Sequence, residues 1–216
     1  MNYRMFKRQL RFLSLIAFLF CFMTADAYDF VVDGFYYNIL YTRDGQPTTE
    51  VEVTNRTSTS DYPNGDNSYS GDIVIPASVT YNGVTYTVVQ IKHRAFAGCD
   101  NLNSVMCPST MHSIGMCAFW QSPLKKITLN EGLVRIMDDA FKDTELSELY
   151  IPKTVTELPN KMDNFVPSTT KITIHPDNPN YIIPDGALYT RDMKQLLRLP
   201  SVNEAEAYGQ IFVVPE

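Results

Sequence analysis

Histidine is scarce in this chain of 216 residues: His93, His112 and His175 are all it has. They stand at unrelated places in the pattern described below, and none adjoins a serine or cysteine in a nucleophile motif. The sequence holds no Gly-x-Ser-x-Gly, no His-Glu-x-x-His, no phosphate-cradling glycine loop and no calcium-loop pattern. Those absences remove activated-serine acyl transfer, zinc hydrolysis, nucleotide handling and calcium binding in turn. Cysteine is sparse as well, four residues in all, with no Cys-x-x-Cys and no histidine at ligand spacing. No cofactor, no metal and no enzymatic activity are expected.

Basic blocks are missing too. The chain carries 18 Lys and Arg against 24 Asp and Glu, a net charge of −6. An acidic chain without a basic patch lacks the electrostatic footprint of a nucleic-acid binder and does not adhere to an anionic bilayer. Long apolar runs are confined to Phe12–Met23, 12 residues. That is too short for a hydrocarbon core, which needs about 20 residues. The run follows Arg4, Lys7, Arg8 and Arg11 and precedes Ala25-Asp26-Ala27, the order of a secretory signal peptide cleaved after Ala27. The bulky Phe18, Leu19 and Phe20 before Cys21 do not fit a lipoprotein box. Removing residues 1–27 takes the net charge to −9. It leaves Cys99, Cys107 and Cys117, so at least one thiol is free. The expected location is secreted or cell-surface, with no membrane insertion of the mature chain.

What the chain does have is a repeat. Ile91-Lys92-His93-Arg94-Ala95-Phe96 returns as Ile114-Gly115-Met116-Cys117-Ala118-Phe119 and as Ile136-Met137-Asp138-Asp139-Ala140-Phe141, at intervals of 23 and 22 residues. A second phrase is interleaved at 22-residue spacing: Leu102 to Pro108, Leu124 to Asn130 and Leu146 to Pro152. A period in the twenties implies stacked units that bury their apolar faces only against one another. In the second phrase the last positions alternate as a strand requires. Val105 and Cys107, Ile127 and Leu129, Leu149 and Ile151 point inward, and Pro108 and Pro152 end the strands. Phe96, Phe119 and Phe141 form one aromatic column beside the small Ala95, Ala118 and Ala140. Cys107 falls in the column of Leu129 and Ile151, and Cys99 in that of Ser122 and Thr144. Both are therefore expected buried and free. Cys117 shares a variable column with Arg94 and Asp139, where a reactive thiol is the lesser alternative.

Residues 28–70 read as an antiparallel β cap and a loop. Phe35 to Tyr41 and Val51 to Thr54 are strand-like, and the composition from Asn55 to Gly71 is that of a loop containing the acceptor motif Asn55-Arg56-Thr57. Asn82-Gly83 between β-branched runs marks a hairpin inserted in the first repeat. The fourth turn keeps Leu158 but replaces Ala-Phe by Met162-Asp163, with Phe165 displaced. Lys171 to Ile174 restores the strand, a hairpin follows around Arg191-Asp192, and Ile211 to Val214 begins one more strand phrase. Residues 71–216 are thus expected to form a repeat array with an incomplete last unit.

Ile-Pro-x-x-Val at Ile75 and Ile151, the Ile-x-x-x-Ala-Phe phrase, Ala95-Phe96-Ala97-Gly98-Cys99 and the block Asn178-Pro179-Asn180-Tyr181…Asp185-Gly186-Ala187-Leu188-Tyr189 resemble BspA-like leucine-rich repeats, over Asp72 to Glu216. The resemblance implies a mainly β (or α+β) solenoid with a parallel sheet on its concave face. It also implies secreted or surface proteins of bacteria that bind host or neighbouring-cell macromolecules. The expected function is adhesin-like capture of a protein, of the extracellular matrix or a cell surface, through that face. The outward columns are Asp72, Ser104, Lys126, Glu148, Lys171 and Val74, Met106, Thr128, Tyr150, Thr173. Solvation alone explains most of these residues. Lys126, Glu148 and Tyr150 are the first candidates for contact, with Met106 and Thr128 beside them. Trp120 is a separate candidate, or else packs under the adjacent loop. The alternatives are a self-associating structural spacer, pairing through an exposed strand such as Ile211 to Val214, and a glycan-binding protein.

Overall fold

The computed structural model describes residues 28–57, 68–159, 162 and 164–200. The leader, Asp163 and the terminal phrase Ile211 to Val214 lie outside the described residues. Within them every regular element is a strand. The chain opens with β1 (Phe30–Val32), β2 (Phe35–Tyr41) and β3 (Pro47–Thr54), an antiparallel meander. After β4 (Gly71–Val74) comes the hairpin β5 (Ser78–Tyr81) and β6 (Val84–Ile91). Its turn places Asn82 at φ 49° and Gly83 at φ 80°, the left-handed pair that a tight hairpin following the strand twist demands. β6 then lies parallel to β3. At the other edge Phe30 of β1 stacks on Tyr81 of β5, centroids 4.5 Å apart. This ring contact joins the two outer strands of the cap, of which β1 pairs only with β2 and β5 only with β6.

Each coil contributes a strand to one side, and the earlier coils contribute one to the other side as well. On one side run β7 (Leu102–Met106), β9 (Lys126–Thr128), β11 (Glu148–Ile151) and β12 (Lys171–Ile174). On the other are the short β8 (Ser113–Ile114) and β10 (Arg135–Ile136). β4, β7 and β9 form one parallel ladder and β11 and β12 another. The expected continuous five-strand platform is thus interrupted: β9 and β11 lie side by side but belong to separate sheets. On the return side β6, β8 and β10 continue the cap sheet as a parallel ladder, extended by a bridge from Arg135 to Glu157. The end of the described chain is an antiparallel meander of β13 (Tyr181–Ile182), β14 (Leu188–Thr190) and β15 (Leu196–Arg198).

The core between the two sides is the one the repeat implies. Val105, Cys107, Ile127, Leu129, Leu149 and Ile151 are buried, as are Ala95, Ala118 and Ala140. Phe96 and Phe119 stack at 5.0 Å, and Phe119 and Phe141 at 5.5 Å. The column is longer than the phrase. Tyr69 adds a ring at 4.5 Å from Phe96, and Phe165 a fifth at 5.8 Å from Phe141. The fourth turn, irregular in sequence, carries two extra residues between Leu158 and Phe165, buries Met162, and still delivers its ring. Tyr69 donates its hydroxyl hydrogen bond to Thr54 O at 2.5 Å, which satisfies a buried polar group and ties the cap to the column.

The return turns share a backbone device. Arg94, Cys117 and Asp139 hold φ of 57°, 54° and 55°, and Gly98, Gln121 and Asp143 hold 63°, 57° and 56°. The coils of Phe96, Phe119 and Phe141 thus each pass through the left-handed region twice, and only the first of the three uses glycine there. A Cβ in that region costs about 1–2 kcal/mol relative to glycine, offset in part by glycine's greater entropy in the unfolded chain, about 0.5–1 kcal/mol. Gln121 is exposed. Gln121→Gly is therefore expected to raise the unfolding free energy by about 0.5–1 kcal/mol, measurable by urea titration. Destabilisation would show that the Gln121 side chain carries a contact of its own.

Candidate ligand-binding face

Strand alternation and register together build the outward face. Asp72 lies opposite Ser104 and Ser104 opposite Lys126; Val74, Met106 and Thr128 form the matching row two residues on. Across the interruption Glu148 pairs with Lys171 and Tyr150 with Thr173. The second row carries large apolar surface in water: Val74 is 63% exposed, Met106 48% and Tyr150 44%. The first row is charged. Ser104 Oγ donates to Asp72 Oδ1 at 2.5 Å and Asn103 Nδ2 at 2.7 Å, and these two bonds, the serine's first, hold the Asp72 carboxyl below its ordinary range. Lys126, Glu148 and Lys171 are exposed, and among the described residues none of the three enters an ion pair. The rims, by contrast, are internally paired: Lys125 with Glu145 at 4.0 Å and Lys153 with Asp177 at 3.8 Å. Glu131 accepts from the backbone N–H groups of Lys153 and Thr154. Glu131 and Asn103, both exposed, orient their neighbours and carry no repeat signal in the sequence.

Five of the six candidates therefore share one face: Met106, Lys126, Thr128, Glu148 and Tyr150. Trp120 does not. It sits in the return turn, half-buried, with Nε1 donating to Asp143 Oδ2 at 2.9 Å and the Arg94 guanidinium 5.3 Å from its ring centroid. It staples three successive coils at a distance from the outward columns.

The chemistry elsewhere is structural. Cys99, Cys107 and Cys117 are free and buried. Burial pushes the Cys107 thiol up to about 12. Cys117 is raised as well, by burial first and then by the Asp139 charge, the opposite of what a nucleophilic thiolate needs. Burial lowers His93, while His175 Nδ1 accepts from the Asp177 N–H at 3.1 Å. Among the described residues no group of three or more His, Cys, Asp or Glu is placed to hold a metal, and no helix is long and apolar enough to cross a membrane. A depression of about 350 Å³ is lined by Met162, Ser168 and Leu196 to Pro200. Its one cation, Arg198, is spent on the carbonyls of Thr170 and Pro167. Asn55 is buried and donates to Arg94 O at 3.2 Å, so the folded chain does not present its acceptor motif.

The sequence model of the BspA-type leucine-rich repeat region matches six copies over residues 73–194, more than half of the chain. The chain belongs to the BspA-type leucine-rich repeat family. Solved structures agree on the fold of this BspA-type protein. A leucine-rich repeat protein from Bacteroides capillosus superposes with a TM-score of 0.52 at 24% identity, covering 68% of this chain and 97% of its own. One from Eubacterium ventriosum gives 0.51 at 17% identity and 79% coverage, and this chain spans half of its length. No curated protein matches the chain.

Proposed function

We propose that this BspA-type protein is a binding module at or beyond the cell surface, without catalytic activity, which captures a protein of a host or neighbouring cell through its outward strand face. The observation that carries the reading is the row Val74, Met106 and Tyr150. These residues hold substantial apolar surface in water beside charges that the fold leaves uncommitted. Exposed apolar residues rimmed by polar ones mark interaction surfaces, and tyrosine is enriched where binding energy concentrates. The spent Arg198, the buried thiols and the scattered histidines supply no competing reaction centre. The test is affinity capture from extracellular extracts with Lys126→Glu, Glu148→Lys and Tyr150→Ala combined. All three sites are exposed, so folding is expected to be unchanged by circular dichroism. Capture is expected to fall at least about 30-fold, the effect of losing about 2 kcal/mol at an anchor. Undiminished capture would move the site off this face.

A second reading, self-association, has one observation in its favour. Among the described residues β12 pairs only with β11 and β4 only with β7, which leaves a strand edge open at each end of the outward face. Light scattering over a concentration series separates the two readings.

A further inference from the structure

We propose that the segment held on this face is an amphipathic α-helix lying along the solenoid axis. Its acidic–basic–acidic ridge would face Lys126, Glu148 and Lys171, with apolar residues over Val74 and Met106. The inference rests on the outward-face reading above and adds the shape and charge order of what is held.

Spacing argues for the helix. Hydrogen-bonded strands lie about 4.7–4.9 Å apart, so the first row offers a side chain at nearly that interval. A helix returns a side chain to one face every turn, about 5.4 Å, and over two steps the mismatch is about 1 Å, within the play of lysine and glutamate side chains. An extended strand returns one only every ~6.6–6.8 Å, and over the same two steps it is out of register by about 4 Å. The interruption between β9 and β11 falls between Lys126 and Glu148, so the spacing there is not tied to a ladder hydrogen bond and accommodates the longer pitch.

Size argues the same way. The two outward columns are two residues apart along each strand, about 6.7 Å, a strip close to the width of one helix, about 10–12 Å with side chains. Five strands make it roughly 20 Å long, the length of about 14 helical residues.

Charge sets the order. Asp72 is satisfied by Ser104 and Asn103, whereas Lys126, Glu148 and Lys171 have no ionic partner among the described residues. Their sequence of plus, minus, plus is met by minus, plus, minus. A uniformly acidic helix would keep the attractions to Lys126 and Lys171 but replace the third, at Glu148, by a repulsion, which is how such a row discriminates.

The test uses the intact chain and fluorescently labelled, hydrocarbon-stapled 18-residue peptides. One carries Glu, Lys and Glu at i, i+4 and i+7 with leucines on the adjacent ridge; a second carries Lys, Glu and Lys in the same places. A third, unstapled and proline-interrupted, keeps the charge order of the first in extended form. Anisotropy is expected to show the first peptide binding at least tenfold more tightly than the other two. The protein variant K126E/E148K/K171E is expected to invert the preference between the two stapled peptides. Equal binding of both charge orders, no inversion, or no binding of the first peptide up to 1 mM overturns the helix. If the extended peptide binds in its place, the outward-face reading stands and only the helix falls. If a captured partner is also indifferent to Lys126, Glu148 and Tyr150, the outward-face reading falls with it.

Discussion

Phe119→Ala is expected to lower the unfolding free energy by about 3–5 kcal/mol, the upper part of the range for core truncations. The ring is fully buried and lies between Phe96 and Phe141, stacked on both at 5.0 and 5.5 Å. What makes the loss large is that the gap cannot close. The coils above and below are held at fixed separation by backbone hydrogen bonds on either side of the ring: Phe96 N–H to Ala118 O and Phe119 N–H to Ala140 O, both 2.8 Å. A cavity whose walls are fixed keeps its full cost. Because each coil touches only its neighbours, the truncation also weakens the interface that couples the two halves of the array. Urea unfolding followed by far-ultraviolet circular dichroism is expected to show an earlier midpoint and a broader transition. The same truncation at Phe165, whose ring meets Phe141 edge-on at the end of the column, should cost less. A loss below about 1 kcal/mol at Phe119 would mean that the coils relax toward each other after all.

That column was legible because three copies of one phrase put phenylalanine at a constant offset from isoleucine, and a stacked architecture turns equal offsets into superposition. The same logic fixed which strand residues face out, since alternation leaves no third choice. It failed wherever a residue has no repeated counterpart. Tyr69 stands in a stretch rich in serine, asparagine, aspartate and glycine, with nothing periodic around it, yet it is the first ring of the column. Phe165 was obscured by two extra residues in its turn. The left-handed columns were hidden because only Gly98 advertises one, while Arg94, Cys117, Asp139, Gln121 and Asp143 adopt it under tertiary constraint. At the site the limit is similar. Periodicity separates outward from inward but ignores what neighbours do. It therefore places Asp72, already bonded by Ser104 and Asn103, in the same outward column as Lys126, and it leaves Trp120 between contact and packing, where Asp143 and Arg94 engage it.

Asn178 shows how much can rest on a residue that reads in sequence as part of a turn, and Asn178→Asp is expected to cost more than about 3 kcal/mol at neutral pH. The side chain is wholly buried. Nδ2 donates to the carbonyls of Val155 at 2.9 Å, Pro152 at 3.0 Å and Lys153 at 3.3 Å, while Oδ1 accepts from the N–H groups of Asn180 and Tyr181. One amide thus joins the coil after β11 to the meander β13–β15. The substitution is nearly isosteric and leaves Oδ1 content, but it turns the donor into an oxygen aimed at three carbonyl oxygens. Burial and those oxygens both disfavour its ionised form, so the new carboxyl titrates higher in the folded chain than its unfolded value of about 3.9. The folded state then binds the proton more tightly. The variant's deficit relative to wild type should be smallest below that unfolded value and grow as pH rises through the folded one. Paired urea titrations between pH 4 and 7 measure it, and a deficit that does not change with pH would show that the carboxylate has escaped to solvent. Hydrogen exchange should place the damage. Amides of β13–β15 are expected to lose protection while those of β4, β7 and β9 keep theirs, because in a stack of coils a broken tie is felt first by the units it joined.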